Sequence, residues 1–163
     1  MMTRRSLVVR GAFAGMAAVC GTEWLTAETA DGPFEVTHTE AEWRKLLTPE
    51  QFEILRKEGT ERPGTSPLLK EHRRGTFNCA GCGLELFSST TKFESGTGWP
   101  SFWAPLENAI GTKRDASFLM IRTTVLCRRC GGHLGHVFND GPRPTGLRYC
   151  INGLALTFKQ IAS

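Results

Sequence analysis

A short run near the C-terminus holds a cysteine between a cation and an amide, a combination suited to thiol chemistry. Strand side chains alternate between two faces, so a strand here places Arg148, Cys150 and Asn152 on one side. Tyr149 and Ile151 then lie on the other side. A guanidinium beside sulfur favours the thiolate, which is the nucleophilic form. The run is also compatible with a buried structural cysteine, because free cysteine is among the most buried residue types.

Four more cysteines form two CxxCG sequences, at 79–83 and 127–131. Each supplies two thiolates at a spacing suited to one metal ion, which predicts a tetrahedral site formed by Cys79, Cys82, Cys127 and Cys130. Zinc is the leading candidate because structural zinc takes four protein ligands, although iron can occupy the same cage. The other interpretation, two redox dithiols, requires reactive thiols beside a helix start. A shared metal leaves Cys150 free.

Two histidines and an aspartate follow the second CxxCG sequence. His133 and His136 are better suited to proton transfer than to metal binding, because the four thiolates already complete a site and imidazole titrates near neutral pH. A structural role for both histidines stays open. Asp140 is interpreted either as a polar group of the site or as a cap of the turn at Gly141.

Between the two CxxCG sequences, residues 94–103 are too rich in glycine and proline for an ordinary core strand. The glycines on either side of Thr97 allow an unusual backbone path. That path could present Trp99 and Phe102 as an aromatic wall. Clustered aromatic residues also occur in ordinary cores, so this loop alone does not establish a pocket.

The elements that position these residues are expected to be mainly strands. The chain has 163 residues, enough for one domain with its own core, and its 18 glycines favour turns over long helices. The net charge of +4 is scattered, which argues against a nucleic-acid partner. Antiparallel strands are predicted at 76–78, 85–87, 117–122, 137–138, 147–152 and 154–159, since no helical crossover separates them.

Two short helices are predicted ahead of the strands. Thr48, Pro49 and Gln51 form a capping box with proline in the first turn, and Gly59 is expected to end this helix. Phe52 and Leu55, with Leu46 and Leu47, are expected to form its apolar side. Residues 40–45 predict an earlier helical turn that packs Trp43 onto the same patch.

The N-terminus has the layout of an export signal, with an arginine pair ahead of a small apolar run. Arg4 and Arg5 are similar to a twin-arginine signal, although Leu7 replaces the usual phenylalanine and Arg10 interrupts the run. We expect a signal at 1–30, a linker at 31–40 and the folded domain at 41–160. The protein is then periplasmic or otherwise exported, and cytoplasmic if the signal does not function. A disordered tail, or lipid attachment at Cys20, stays open.

Five motifs in order resemble the methionine-R-sulfoxide reductases of the B type over about residues 43–158: the two CxxC pairs, 95–102, 133–138 and 148–152. The resemblance implies a mainly β, tent-like domain of two antiparallel sheets, with short N-terminal helices and one structural zinc held by the four cysteines in a zinc-ribbon-type site. It implies an enzyme of oxidative stress and protein repair that acts on methionine sulfoxide, free or in proteins. The resemblance also implies a monomer without stable membrane association once the signal is removed.

The family mechanism, applied by position, makes Cys150 the nucleophile that attacks the sulfoxide sulfur. His133 and His136 match the family histidines that orient water and supply the proton, and Arg148 matches the arginine beside the thiolate. Asn152 and Asp140 match nearby polar positions. Trp99, with Phe102 and Phe138, matches the wall around the substrate methyl group. Cys150 is left as a sulfenic acid.

The sequence departs from the common family pattern at Thr97, where many members carry a resolving cysteine. We therefore expect an external thiol, from a thioredoxin-like partner or a small reductant, to regenerate Cys150. Thr124 and the pair Gly153-Leu154 are smaller departures from the acidic residue and Ser-Ala of the family. The alternative functions are a non-catalytic zinc-stabilised binding module and a CxxC dithiol oxidoreductase.

Overall fold

The computed structural model describes residues 34–115 and 122–161, so the predicted signal, Cys20 and most of the predicted strand at 117–122 lie outside the described residues. Two helices come first, α1 (Glu40–Leu46) and α2 (Pro49–Lys57). The strands follow in this order: β1 (Gly75–Cys79), β2 (Glu85–Ser88), β3 (Lys92–Phe93), β4 (Ser101–Phe102), β5 (Ile110–Asp115), β6 (Arg122–Cys127), β7 (His133–Phe138), β8 (Arg148–Ile151) and β9 (Leu156–Gln160). Short 3-10 turns occupy Pro67–Lys70, Ser89–Thr91 and Gly153–Ala155.

The strands form two antiparallel sheets, as predicted. The smaller sheet has the order β2-β1-β9, and the larger has the order β3-β4-β8-β7-β6-β5. Sequence patterning missed β5, the part of β6 after Arg122, the part of β7 before Val137, and the very short β3 and β4. Among the described residues, no helix is long and apolar enough to cross a membrane.

The core lies where the two sheets face each other. Phe77 and Phe87 come from the smaller sheet, and Phe102 and Tyr149 come from the larger. The rings of Phe87 and Phe102 stack with their centroids 4.4 Å apart, and Phe77 meets Phe102 edge to face at 4.9 Å. Burial of aromatic rings contributes strongly to stability, so this stack fixes β4 and β8 against the smaller sheet.

Both helices begin at capping boxes, and the one predicted at Thr48 is confirmed. The predicted helix end needs a small correction, since the left-handed residue after α2 is Glu58, with φ of 55°, rather than Gly59. Trp43 packs into the core as expected. Leu47 is buried beside it, but Leu46 is 60% exposed and does not join the apolar side.

Candidate active site

Cys150 lies in a row of polar residues that crosses the larger sheet. Its register partner on β4 is Ser101, and its partner on β7 is His136, which in turn faces Thr124 on β6. Opposed residues on neighbouring antiparallel strands share one face, with Cβ atoms about 5 Å apart. The register therefore places the predicted nucleophile beside one of the two predicted proton donors. Thr124 leaves its place in this row uncharged.

The two histidines differ in burial. His133 is buried at the start of β7, whereas His136 is only half-buried, and their ring centroids are 5.5 Å apart. A proton donor to a substrate must reach the reacting atoms and also recover its proton from solvent. His136 satisfies both conditions better, because it is the register partner of Cys150 and is partly exposed. His133 lies behind it.

The side chain of Arg148 forms an ion pair with Asp140. Its Nε and Nη2 atoms each donate to an Asp140 carboxylate oxygen at 2.8 Å, and its guanidinium lies 4.4 Å from the centre of the Phe138 ring. This contact raises the pKa of Arg148 and lowers the pKa of Asp140. Asp140, predicted to contact substrate or to cap a turn, instead orients Arg148. Phe138 packs against the guanidinium of the same side chain.

The pKa of the Cys150 thiol is raised, chiefly because the side chain is removed from water. The Thr97 hydroxyl and the Arg148 guanidinium oppose this shift, while the Asp140 carboxylate adds to it. Arg148 therefore acts in the expected direction, but burial outweighs it. Burial therefore favours the thiol over the thiolate at Cys150.

Thr97 is in direct contact with the candidate nucleophile. Its Oγ1 lies 3.8 Å from Cys150 Sγ and 2.9 Å from Ser95 Oγ, which in turn lies 2.7 Å from Ser101 Oγ. Gly98 allows this path, because its φ is +91° and a Cβ there would come within 2.7 Å of Pro63. The sequence signal for Ser95 and Ser101 was their position on either side of Thr97, and sequence reasoning missed it.

The structure separates the two residues of the predicted aromatic wall. Trp99 is half-buried, and its indole N–H donates to the carbonyl of Glu61 at 3.2 Å. Phe102 is fully buried in the core and does not line the site. The cause is strand alternation, because Ser101 pairs with Cys150 while Phe102 pairs with Tyr149 on the core side.

Asn152 is also placed differently from the prediction, because β8 ends at Ile151 and the alternation ends with it. Its side chain is buried, accepting from the Glu61 N–H at 3.0 Å and donating to the carbonyl of Leu134 at 3.1 Å. It supports the backbone and does not face Cys150. A substrate contact by Asn152 is therefore not favoured.

Glu61 connects these supporting elements, and no local pattern in the sequence indicates it. Its carboxylate accepts from the N–H groups of Gly153 and Leu154 at 2.6 and 3.0 Å, and its backbone holds Trp99 and Asn152. A buried carboxylate satisfied by two backbone donors is a strong fixed contact. Glu61 thus ties the Trp99 loop to the chain that leaves the Cys150 strand, across a separation of about ninety residues.

Each CxxCG sequence forms a tight turn, here called a knuckle, and the four cysteines of the two knuckles converge into one cluster. All four Sγ atoms lie within 4.8 Å of one another, with Cys79 and Cys130 at 3.7 Å and Cys82 and Cys127 at 3.5 Å. A tetrahedral zinc with Zn–S bonds of 2.3 Å requires sulfur separations of about 3.8 Å, so the donor set fits a metal ion.

The two knuckles share one backbone design. Gly83 and Gly131 have φ of +74° and +67°, and their N–H groups donate to the carbonyls of Cys79 and Cys127 at 2.8 Å. This repeat agrees with the predicted metal-binding turns. Because Cys79 ends β1 and Cys127 ends β6, the cluster joins the two sheets.

Residues 47–160 match the SelR domain family. The chain is also similar to three proteins named peptide methionine sulfoxide reductase MsrB. The protein from Leptospira interrogans is 56% identical over 78% of this chain and 98% of its own length. That from Methanosarcina barkeri is 56% identical over 76% and 88%, and that from Pseudomonas putida (strain W619) is 56% identical over 77% and 95%.

Proposed function

Because the chain belongs to the MsrB family of peptide methionine sulfoxide reductases, we propose that it reduces methionine sulfoxide to methionine at Cys150. The observation that carries this proposal is the row formed by Ser101, Cys150 and His136 across three neighbouring strands. It puts a thiol and an imidazole on one face of neighbouring strands, an arrangement suited to nucleophilic attack with proton transfer. A non-catalytic binding module has no use for this pairing.

The reaction uses the sulfur of Cys150 as nucleophile toward the sulfur of the sulfoxide. Attack forms a bond between the two sulfur atoms, and the thiol proton passes to the surrounding proton carriers. The protonated oxygen then bonds to the Cys150 sulfur while the sulfur–oxygen bond of the substrate and the new sulfur–sulfur bond break, which releases methionine and leaves a sulfenic acid. His136 supplies the proton to the oxygen, with His133 beside it. The substrate is thereby reduced by two electrons and Cys150 is oxidised by two.

Other groups prepare the thiol and the substrate. Arg148 supports the developing thiolate, and Asp140 holds Arg148 in place. Trp99, half-buried in the loop that also carries Thr97, and Phe138, half-buried against Arg148, contact the substrate methyl group, which is small and apolar. Free methionine sulfoxide and oxidised methionine in proteins are the candidate substrates.

Zinc is the metal we assign to the four-cysteine cluster, with Cys79, Cys82, Cys127 and Cys130 as ligands. All four positions of a tetrahedral ion are then filled by protein, so the metal holds the two sheets together and takes no part in the reaction. Redox chemistry at these thiols is not favoured, since Cys79, Cys127 and Cys130 are buried.

We also propose that the protein is exported through its twin-arginine-like signal and that it is a monomer.

We expect the reduced protein to consume methionine R-sulfoxide and to leave the S form unchanged. Each isomer is supplied separately with dithiothreitol, and methionine is measured by chromatography at several times. Stereospecificity follows because the methyl group, the oxygen and the attacked sulfur must meet Trp99, His136 and Cys150 at once. A preference for the S form would contradict the assignment to this family's reaction.

A single turnover without reductant is expected to leave a sulfenic acid on Cys150. Among the described residues, the four other cysteines lie in the metal cluster, so no thiol is placed to resolve it. Dimedone added with one equivalent of substrate should label the tryptic peptide 149–159, which contains no other cysteine.

The matched variant for this experiment is Thr97→Cys, which puts a thiol beside Cys150. It should give a disulfide between positions 97 and 150 and little dimedone label. A Cys150 disulfide in the wild-type mature monomer would contradict regeneration by an external thiol. The physiological donor is then sought among thioredoxin-like proteins and small thiols.

A further inference from the structure

Three hydroxyl groups form an unbroken chain from Cys150 to a backbone carbonyl. Cys150 Sγ meets Thr97 Oγ1 at 3.8 Å, Thr97 meets Ser95 at 2.9 Å, and Ser95 meets Ser101 at 2.7 Å. Ser101 Oγ then donates to the carbonyl oxygen of Trp99 at 3.2 Å. Ser101 is buried and Ser95 and Thr97 are half-buried, so water competes little for these contacts.

The carbonyl at the end of the chain sets the direction of all its hydrogen bonds. A carbonyl can only accept, and each hydroxyl has one hydrogen to donate. When Ser101 donates to Trp99, Ser95 donates to Ser101, and Thr97 donates to Ser95. Thr97 then has only lone pairs to offer Cys150, so this direction favours the protonated thiol. Thr97 can lower the pKa of Cys150 only when its hydroxyl donates to the sulfur, which is the opposite direction.

A thiolate requires the opposite direction. It carries no hydrogen, so Thr97 must donate to Cys150, Ser95 to Thr97, and Ser101 to Ser95. Ser101 then loses its bond to the Trp99 carbonyl. Forming the thiolate therefore reverses three hydroxyls and breaks the hydrogen bond that ends the chain.

We propose that Ser95 and Ser101 are positioning residues that act through Thr97 and hold Cys150 in the thiol form until the substrate arrives. The proposal rests on the proposed role of Cys150 as nucleophile. It goes further by assigning a function to two serines that do not touch the reacting atoms. The Trp99 carbonyl links this hydroxyl chain to the residue that we propose contacts the substrate methyl group. A shift of Trp99 would therefore release Ser101 and favour the thiolate.

Other charged groups also face Cys150 and act in parallel with the chain. Arg148 lies on the same strand with Asp140 bound to it, and His136 faces Cys150 from β7. From β4 the facing residue is Ser101, which is uncharged. None of these groups is changed by substitutions at Ser95, Thr97 or Ser101, so the effect of the hydroxyl chain can be measured separately.

The test is the pH dependence of Cys150 alkylation in the reduced full-length protein. Iodoacetamide labelling of the tryptic peptide 149–159 gives the rate at each pH, free of the cluster cysteines. The midpoint is the pH at which alkylation reaches half of its maximal rate. Thr97→Val removes the donor to the thiolate and should raise this midpoint by about one pH unit. Ser101→Ala removes the link to the carbonyl and should lower the midpoint by about half a unit.

Two more variants keep the test decisive if one protein folds poorly. Ser95→Ala also breaks the chain and should lower the midpoint, whereas Thr97→Ser keeps a hydroxyl and should leave it unchanged. Matched controls are Ser88→Ala and Thr90→Val, which break a hydroxyl pair of 2.8 Å in the turn after β2. Neither control should move the midpoint.

The direction in which each variant shifts the alkylation midpoint decides the outcome. General loss of polar surroundings would raise the midpoint in all three variants at Thr97, Ser95 and Ser101, and that result would overturn the proposal. Unchanged midpoints for the serine variants would overturn it as well. Because the readout is the thiol itself, it stays informative even if the protein fails to reduce methionine sulfoxide.

Discussion

Replacing Cys150 by serine is expected to reduce methionine R-sulfoxide reduction to the level of the buffer control. A hydroxyl in this position is a far weaker nucleophile than a thiol, and it cannot carry the oxygen away as a sulfenic acid. The change is nearly isosteric at a half-buried position, so the fold should be kept. Methionine formation with dithiothreitol is measured by chromatography, and circular dichroism checks the fold.

Substitution of the proposed proton donor should lower activity less than substitution of the nucleophile. His136→Gln should retain measurable activity but lose a factor of about 10² to 10⁴ in kcat, the usual contribution of a general acid. Thr90→Val, on the exposed hydroxyl pair after β2, serves as the unaffected control. Equal activity of wild type and Cys150→Ser would show that a different group performs the reaction.

Removal of the metal is expected to unfold the domain at 37 °C. Binding of structural zinc to four thiolates is worth about 10 to 16 kcal/mol, which equals or exceeds the whole stability of a typical domain of about 5 to 15 kcal/mol. The cluster joins the smaller and larger sheets at the ends of β1 and β6. Without it, these ends are connected mainly through the aromatic core.

The measurement combines metal analysis with thermal unfolding. Wild type should hold one zinc per chain, and Cys127→Ser should lose both the zinc and the cooperative unfolding transition. Cys150→Ser is the matched control, because it removes a thiol outside the cluster and should keep its full zinc content. An unchanged melting temperature after chelation of the zinc would contradict a structural metal.

Local sequence patterns were sufficient where one element determines the outcome. The capping box at Thr48 predicted the start of α2, because its partners lie within one helical turn. Alternation predicted that Arg148 and Cys150 share one face of the strand and Tyr149 and Ile151 the other, and the burial pattern of β8 agrees. The two CxxCG sequences predicted cysteines that converge, since each knuckle is a self-contained turn.

Prediction failed where a residue's surroundings come from distant parts of the chain. Phe102 was predicted to form an aromatic wall with Trp99 because the glycines around Thr97 allow an unusual backbone path, but the register of β4 with β8 turns it into the core. Asn152 was predicted to share the strand face of Cys150, but Glu61, far away in sequence, holds its side chain in the interior. Neither contact leaves a periodic signal in the sequence.

The sequence by itself determined the chemical groups of this protein, a thiol, two imidazoles and a four-sulfur cluster, together with the faces of the strands that carry them. Only the tertiary structure decided how those groups are adjusted. Burial outweighs Arg148 and raises the pKa of Cys150, and Asp140 forms an ion pair with Arg148. The reason is physical: side-chain identity and strand period are local, whereas desolvation, register and the direction of a hydrogen-bond chain depend on which distant segments pack together.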